Sequence, residues 1–376
     1  MLGVVLILAP QRPYMAWSEG LLLEEKTLEI FSILEQRSIV PFEREILIDS
    51  MFRGLLEGVD DPYSAYFNAE TLALFRERSD GRYAGIGVSV NTNIENMRVN
   101  VVNVFQGTPA DEAGLLPGDY ILEVNGESVL GFAPDEVAAH VRGTPGTAVV
   151  LQILRGEDTF DVEITRQMIS IPTVSNRMLN DDVGFLRIES FDGVTEMQFL
   201  EAYEELLGQG MSGLILDLRN NSGGLLSSVL NIGNLMLPEG AIMHSEDNRG
   251  NRTTFDSRRE QLIEMPLVVL VNGASASASE VLTGAIMDHN RGTVVGEQTF
   301  GKGVVQTIID LRGGSAIRVT VAEYFTPNGN SIHNEGITPH HTVEVDRETA
   351  FLAARLTLEE DLQLQKALEI ISEKLN

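Results

Sequence analysis

The chain has 376 residues, a hydrophobic share of 43% and a charged share of 22%, values typical of a soluble globular protein. This length predicts roughly two or three domains with substantial cores. The formal net charge of -28 argues against nucleic acids and anionic membrane surfaces as partners, because both repel an acidic protein. The absence of cysteine excludes disulfides, thiolate catalysis and cysteine metal sites, but it does not fix the compartment.

The chain begins with an apolar segment, Leu2 to Ala9, that is too short to span a bilayer. Two interpretations stay open. The segment is an N-terminal strand or start-site artefact, or it is the truncated remnant of a signal peptide or anchor. Apolar residues then recur at helical spacing from Lys26 to Gly58, and a short helix is predicted from Thr71 to Arg78. We therefore expect a helical N-terminal region over residues 1–78.

Residues 79–167 predict a small, partly open β-structure of short strands joined by glycine turns. A predicted helix, Pro134 to Val141, precedes its last two strands. The order of these signals resembles a PDZ domain. In that family a glycine-containing loop binds the terminal carboxylate of a peptide through backbone N–H groups, and the peptide adds as a strand to the sheet edge.

The loop that matches this motif runs from Tyr83 to Val88. The resemblance implies a peptide-binding groove formed by seven residues of the loop and of the following helix: Tyr83, Gly85, Ile86, Gly87, Val88, Val137 and Val141. An alternative is that Gly85 and Gly87 serve only a tight turn. Their place within the whole series of motifs favours the groove.

Alternating strands and helices over residues 168–346 predict an α/β core, followed by a helical segment over residues 347–376. One apolar run, Gly213 to Leu218, predicts a buried strand that ends at a turn containing Gly223 and Gly224. Such a turn before a helix presents backbone N–H groups to an oxyanion. It is also explained by the freedom of glycine at a turn.

A second strand is predicted from Leu267 to Val271, and a segment with three serines leads from it into a helix. Ser277 and Glu280 fit the S-x-x-E capping box of a helix start. The same position suits a nucleophile, because the free N–H groups and the dipole of the first helical turn stabilise a developing oxyanion. Both interpretations of Ser277 stay open on this segment alone.

A serine nucleophile requires a base. Lys302 lies between two glycines in an apolar segment, where burial would lower its pKa; the alternative is an ordinary surface lysine. Gln306 lies four residues beyond, so on a strand both side chains share one face and the amide oxygen can hold the lysine amine. His289 falls along the same helix as Ser277, roughly 18 Å away, whereas His333 stays open as a base.

The motifs LDLRNNSGG, SASASE and GKGVVQ follow the PDZ-like segment in this order, with DPYSAYF before it and YFTPNGNSI after it. Together they resemble the carboxyl-terminal processing proteases, the tail-specific Ser-Lys peptidases of family S41, over nearly the whole chain. The resemblance implies an α/β, ClpP/crotonase-like core with an inserted PDZ domain and helical N- and C-terminal segments. It also implies a serine endopeptidase located outside the cytoplasm, in the periplasm or at the cell envelope.

The resemblance assigns the nucleophile to Ser277, the base to Lys302 and its partner to Gln306. It assigns the oxyanion donors to the backbone of Ala278 and of either Gly223 or Gly224. The expected partner is a protein or peptide with a free C-terminus, and a second copy or an adaptor protein is compatible with it. We expect no cofactor and no metal, because no cluster of His, Asp and Glu has metal-ligand spacing.

Two alternatives come from other classes of protein. A non-catalytic scaffold would bind C-terminal peptides and use Ser277 as a helix cap, but the trio of Ser277, Lys302 and Gln306 argues against it. A crotonase-like acyl enzyme would use the glycine turn and leave Lys302 and the PDZ-like segment without purpose. Two departures from the family pattern, Ser222 and the missing aspartate after Pro339, touch neither Ser277 nor Lys302.

Overall fold

The computed structural model describes residues 17–93, 97–258 and 262–376, so the apolar segment Leu2 to Ala9 lies outside it. The chain divides into two units, one up to Asp60 and one from Asp61 to Asn376. The first unit contains helices α1 (Trp17–Arg37) and α2 (Arg44–Glu57). Within the described ranges, no helix is both long enough and apolar enough to cross a membrane.

The second unit contains a β-rich part whose main sheet has the strand order β3-β4-β5-β7-β8, with β6 paired to β5. Alternate residues of β7 (Val149, Leu151 and Ile153) point into its core, as the two-residue period of a half-buried strand requires. Its elements and those just before it are β1 (Ala65–Phe67), α3 (Ala69–Asp80), β2 (Arg82–Gly85), β3 (Val88–Asn93), β4 (Arg98–Val104), α4 (Pro109–Glu112), β5 (Tyr120–Val124), β6 (Glu127–Ser128), α5 (Pro134–Val141), β7 (Ala148–Arg155), β8 (Asp158–Thr165) and β9 (Gln167–Ser170).

The α/β part is built on a six-stranded sheet with the order β10-β11-β12-β15-β16-β19. All pairs after the antiparallel β10–β11 pair are parallel. Strands β11, β12 and β15 are buried along their whole length, which is why they read as unbroken apolar runs. The elements of this sheet are β10 (Val174–Met178), β11 (Val183–Ile188), α6 (Thr195–Gly208), β12 (Gly213–Asp217), α7 (Leu226–Met236), β15 (Leu267–Val271), α8 (Ala278–Asp288), β16 (Thr293–Gly296), β19 (His341–Thr342), α9 (Arg347–Phe351) and α10 (Leu362–Leu375).

Helices cover both faces of this sheet. Helices α6, α7 and α8 contribute to the core cluster on one face, and α10 contributes to the cluster on the other. The strands between them bury apolar side chains in both directions, and each fully buried aliphatic side chain stabilises the fold by about 1.5–3 kcal/mol. The predicted mixed α/β architecture is confirmed at this level.

A second sheet of five strands has the order β1-β18-β13-β14, with β17 paired to β18. Its remaining elements are β13 (Gly240–Asp247), β14 (Arg252–Ser257), β17 (Val304–Asp310), a 3₁₀ turn (Arg312–Gly314) and β18 (Ala316–Phe325). Strand β1 precedes the β-rich part in the chain, yet it pairs with β18 through Ala65 and Arg318. The β-rich part is therefore inserted between two pieces of the core.

Three turns meet at one edge of the parallel sheet. Strands β12, β15 and β16 are neighbours in the order given, and each ends at this edge. The glycine turn follows β12, the serine segment follows β15, and the loop with Lys302 follows β16. The carboxyl ends of adjacent parallel strands are where α/β sheets place their ligands, so the fold brings the three predicted motifs together.

Candidate active site

Ser277 lies directly before the first residue of α8 in an unusual backbone conformation. Its φ of 54° and ψ of -113° lie outside the regions that ordinary residues occupy, which costs about 1–3 kcal/mol. A Cβ atom on Gly223 would lie 2.8 Å from the Cβ of Ser277, so only glycine fits there. The glycine turn after β12 and the serine turn after β15 are therefore in direct contact.

The three serines of this segment differ in their partners. The hydroxyl of Ser275 donates to the carbonyl oxygen of Leu218 at 2.8 Å, and that of Ser279 donates to the carbonyl oxygen of Asn221 at 2.9 Å. Both tie α8 to the turn after β12. Burial raises the pKa of Tyr324 to about 12, and a hydrogen bond with Ser277 acts in the opposite direction. Within the described residues, the hydroxyl of Ser277 does not donate to the turn after β12, and its side-chain partner is Tyr324.

Glu280 connects the serine to the lysine loop. Its carboxylate is fully buried and accepts hydrogen bonds from the backbone N–H groups of Ser277 at 2.8 Å and Lys302 at 2.9 Å on the same oxygen. The other oxygen accepts from Gly301 N–H and Thr299 Oγ1, both at 2.6 Å. Glu280 was predicted only as part of a helix cap, and its contact with Ser277 N–H has that geometry. Its spacing from Ser277 was visible in the sequence, but its contact with a loop more than twenty residues away was not.

Lys302 is half-buried in the loop that follows β16. Its Nζ donates to Gln306 Oε1 at 3.3 Å and lies 4.6 Å from the centroid of the Tyr63 ring. Burial lowers the pKa of Lys302 and the positive charge of Arg318 lowers it further, while Asp61 acts in the opposite direction. Within the described residues, no hydrogen bond joins Lys302 Nζ to Ser277 Oγ. The backbones of the two residues share Glu280 as acceptor, whereas each side chain has another partner; catalytic hydrogen bonds often tighten only when substrate is bound.

The turn after β12 contains two glycines, of which Gly223 packs against Ser277 and Gly224 against the backbone of Phe191. The N–H of Gly223 donates to Asn221 Oδ1 at 2.8 Å, whereas the N–H of Gly224 has no partner among the residues that the structure describes. Ala278 is the first residue of α8, so its N–H lies outside the helical hydrogen-bond ladder. Among the described residues, the N–H groups of Ala278 and Gly224 thus have no hydrogen-bond partner, while Gly223 is the glycine that packs against Ser277. Asn221 was not singled out from the sequence.

A buried ion cluster fixes the start of the same turn. The guanidinium of Arg219 binds Asp217 on β12 and Asp361 before α10, both at 2.8 Å, and Arg187 reaches Asp217 at 3.2 Å. These groups are almost completely buried. The neighbouring carboxylates raise the pKa of Arg219 against the opposing effect of burial, which acts most strongly of all. The cluster joins the two faces of the sheet next to the glycine turn.

The two histidines considered as bases lie elsewhere or have other partners. His289 follows the last residue of α8, and its Nε2 lies 2.8 Å from the carbonyl oxygen of Ala241. The backbone N–H of His333 donates to Ser331 Oγ at 3.2 Å beside the Lys302 loop. Within the described part of the chain, no hydrogen bond joins either imidazole to Ser277.

An apolar groove of about 230 Å³ lies between β3 and α5. All seven residues expected from the PDZ resemblance line it, and the others are Val90, Phe105, Ala138, Arg142 and Ile171. Burial raises the pKa of Tyr83, while Arg142 and a hydrogen bond with the backbone of Gly87 oppose this effect. The Cζ atom of Arg142 lies 5.3 Å from the centroid of the Tyr83 ring, and its Nη1 lies 2.9 Å from Glu77.

The core and the inserted domain correspond to known families. Residues 182–343 match the model of peptidase family S41, and residues 101–155 match that of the PDZ domain. The chain is 37% identical over 326 residues to the carboxyl-terminal-processing protease of Synechocystis sp., covering 85% of this chain and 75% of the relative. It is 36% identical over 324 residues to the carboxy-terminal-processing protease of Bartonella bacilliformis, covering 84% and 74%.

Among solved structures, the photosystem II D1 C-terminal processing protease is 31% identical, with a TM-score of 0.50 and 86% of both chains covered. The inserted domain is thus a PDZ domain and the core is that of a serine peptidase. The chain belongs to the carboxyl-terminal processing proteases of peptidase family S41. The expected family and enzyme class are confirmed.

Proposed function

We propose that this enzyme cleaves proteins near their C-terminus with Ser277 as nucleophile and Lys302 as general base. The observation that carries the proposal is the shared acceptor. One oxygen of the buried Glu280 carboxylate binds the backbone N–H groups of both Ser277 and Lys302, at 2.8 and 2.9 Å. This bridge makes the two backbones neighbours in the core. Neither side chain takes part in this bridge.

The chemical step follows from the charge state of Lys302. Burial favours its neutral amine, which takes the proton of Ser277 Oγ as the oxygen attacks the scissile carbonyl. The amine reaches the serine by a side-chain rotation away from Gln306. Lys302 then gives the proton to the leaving amine, and water hydrolyses the acyl-enzyme.

The negative charge that develops on the scissile oxygen needs donors that are already in place. We assign this role to the N–H groups of Ala278 and Gly224, because Gly223 donates its own N–H to Asn221. Gly223 then serves the close approach to Ser277.

The PDZ groove is assigned to recognition of the substrate tail. Its walls are mostly aliphatic, and its lining includes the loop with Gly85 and Gly87, so it suits a C-terminal side chain that is apolar and a free carboxylate. The substrate is a protein or peptide with a flexible C-terminus. We infer for the domain a partly open barrel and for the core a ClpP/crotonase-like fold.

Location and assembly follow from the family rather than from a contact in the structure. We propose an extracytoplasmic enzyme in the periplasm or at the cell envelope, on the ground of its membership of the carboxyl-terminal processing proteases. A second copy of the chain or an adaptor protein is the expected partner besides the substrate.

One comparison tests this proposal. Wild type, Ser277→Ala and Lys302→Ala are incubated with an unstructured protein whose C-terminus is free or amidated. We expect cleavage by wild type alone, with a higher KM for the amidated substrate. Cleavage that persists in Ser277→Ala would refute the nucleophile, and tight tail binding without any cleavage by wild type would favour the scaffold.

A further inference from the structure

Tyr63 contacts the proposed base and its partner at the same time, although it was not predicted to be a site residue. The centroid of its ring lies 4.6 Å from Lys302 Nζ. Its carbonyl oxygen accepts hydrogen bonds from Gln306 Nε2 and Arg318 Nε, both at 2.9 Å. Tyr63 belongs to the segment before the PDZ domain, more than two hundred residues away in sequence.

The carbonyl of Tyr63 decides which end of the Gln306 amide faces the lysine. A carbonyl oxygen only accepts hydrogen bonds, so it binds the NH₂ end of the amide. The amide oxygen is then directed to the Lys302 amine, where the distance is 3.3 Å. The orientation of Gln306 is therefore fixed by the backbone of Tyr63 and not by Gln306 alone.

Tyr63 is itself held in place from both sides. Asp61 accepts hydrogen bonds from the N–H of Tyr63 at 3.0 Å and from the hydroxyl of Ser64 at 2.6 Å, which closes a local turn. Strand β1 begins two residues later and pairs with β18 through Ala65 and Arg318. The ring is thus presented to Lys302 by a turn anchored to the core sheet.

We propose that Tyr63 is a positioning residue whose ring holds the ammonium form of Lys302 beside Gln306 between turnovers. The proposal rests on the proposed role of Lys302 as base. An aromatic face attracts a cation far more strongly than a neutral amine. Whenever Lys302 is protonated in the enzyme without bound substrate, the ring therefore keeps it localised, and it releases the amine once that proton is lost.

The charges that face Lys302 come from several elements. Asp61 on the loop before β1 and the ring of Tyr63 favour the charged lysine, whereas burial and Arg318 on β18 favour the neutral amine. Glu280 on α8 binds only the backbone N–H of Lys302. Replacement of the ring by an aliphatic side chain removes one of the few contributions that favour the cation, and the carbonyl contacts of residue 63 stay in place.

The test is a direct titration of Lys302. The lysines of the chain are Lys26, Lys302, Lys366 and Lys374, so NMR of protein labelled with ¹³C-lysine resolves a small set of signals. The Lys302 signal is assigned by its loss in Lys302→Arg. Spectra are recorded in the Ser277→Ala background, with Tyr63→Phe and Tyr63→Leu added in turn. Thermal unfolding of each variant establishes that it is folded.

We expect Tyr63→Phe to leave the midpoint of Lys302 nearly unchanged and Tyr63→Leu to lower it by roughly half a pH unit or more. Tyr120→Leu is the matched control, because Tyr120 also lies under a cation, Arg98 at 6.0 Å, but within the PDZ domain. An unchanged or raised midpoint in Tyr63→Leu would overturn the proposal. The titration needs no proteolysis, so its result is independent of whether Lys302 proves to be the base.

In the active protein the same variants are compared by the pH dependence of kcat/KM. Tyr63→Leu should move the acid limb to lower pH and reduce the plateau several-fold, since the amine is less localised. A plateau that falls while the limb stays in place would indicate a structural role alone and contradict the proposal.

Discussion

The three serines at the start of α8 differ in their hydrogen bonds and in their backbone conformation. Ser275 and Ser279 each donate a hydroxyl to the backbone of the turn after β12. Ser277 adopts the strained positive φ between them. The sequence alone offers three hydroxyls of equal type, and only the family motif picked out the middle one. The hydrogen bonds now give a physical reason for that choice.

This difference predicts opposite outcomes for neighbouring substitutions. Ser277→Ala should abolish cleavage with little change in the free energy of unfolding. Ser275→Ala leaves the buried N–H of Asn272 without its acceptor and should lower that free energy by about 1–3 kcal/mol, whereas Ser279→Ala removes one hydrogen bond from a carbonyl that still accepts from Ala276 N–H and should lower it by about 0.5–1.5 kcal/mol; cleavage should persist in both. Denaturant unfolding and cleavage assays on the same preparations check the prediction. A large loss of stability in Ser277→Ala would instead support the capping role.

Substitution of Glu280 should lower activity strongly, as substitution of Ser277 or Lys302 should. In Glu280→Gln the amide NH₂ cannot accept a hydrogen bond, so at least one of the four donors loses its acceptor. We expect kcat to fall by about 10²-fold or more, a change of about 3 kcal/mol in the activation free energy, because both turns shift.

Glu297→Gln is the control for this variant, since Glu297 also accepts a backbone N–H, that of Val345 at 3.0 Å, but away from the serine. Comparable losses of activity in the two variants would show that Glu280 has no special relation to the site.

The pH dependence of cleavage follows from the environment of Lys302. Burial lowers its pKa, so activity should rise with pH as the amine loses its proton, with a midpoint well below that of free lysine. Lys302→Arg keeps a cation that does not deprotonate and should be inactive across the whole range. An arginine variant that retains an acid limb with the same midpoint would assign the titration to another group.

At the scale of elements, α10 is coupled to the catalytic edge through the sheet. Arg219 leads into the glycine turn and pairs with Asp361, which caps α10 by accepting the N–H of Leu364 at 2.9 Å. Asp361→Asn keeps an acceptor but removes a buried charge. We expect it to cost about 3–5 kcal/mol of unfolding free energy, as loss of one member of a buried ion pair does, and to lower kcat.

Glu369→Gln provides the comparison on the same helix. Glu369 forms a surface pair with Lys366 at 2.8 Å, and such exposed pairs contribute about 0–1 kcal/mol. Calorimetric or denaturant unfolding of both variants separates the buried pair from the exposed one. Equal losses would mean that the Arg219 cluster adds nothing to stability.

Strands and helices could be predicted from the sequence where the local pattern of residues determines the secondary structure. The buried runs of β12 and β15 and the helix after Ser277 follow from hydrophobic periodicity and turn residues. The pairing of β1 with β18 does not, because it joins segments that are more than two hundred residues apart. For the same reason the contacts of Tyr63 with Lys302 and Gln306 were invisible in the sequence.

At the scale of the whole molecule, the PDZ domain is inserted between β1 and the rest of the core. The segment that carries Tyr63 therefore comes before the domain proposed to bind the tail, and the lysine that it contacts comes after it. The order of motifs along the chain predicted this insertion. It did not predict that residues on the two sides of the insertion form one site.

Peptide cleavage by this enzyme is proposed to pass through an acyl-enzyme, an ester on Ser277. Rapid acid quench followed by peptide mass mapping tests this intermediate most directly. Wild-type enzyme is mixed with an excess of a peptide whose scissile bond is an ester and whose last residue is apolar with a free carboxylate. The reaction is quenched within the first turnover. We predict an acyl group on the peptide that contains Ser277, and none in Lys302→Ala. An acyl group on Ser275 or Ser279, or undiminished cleavage without any acyl-enzyme, would contradict the account.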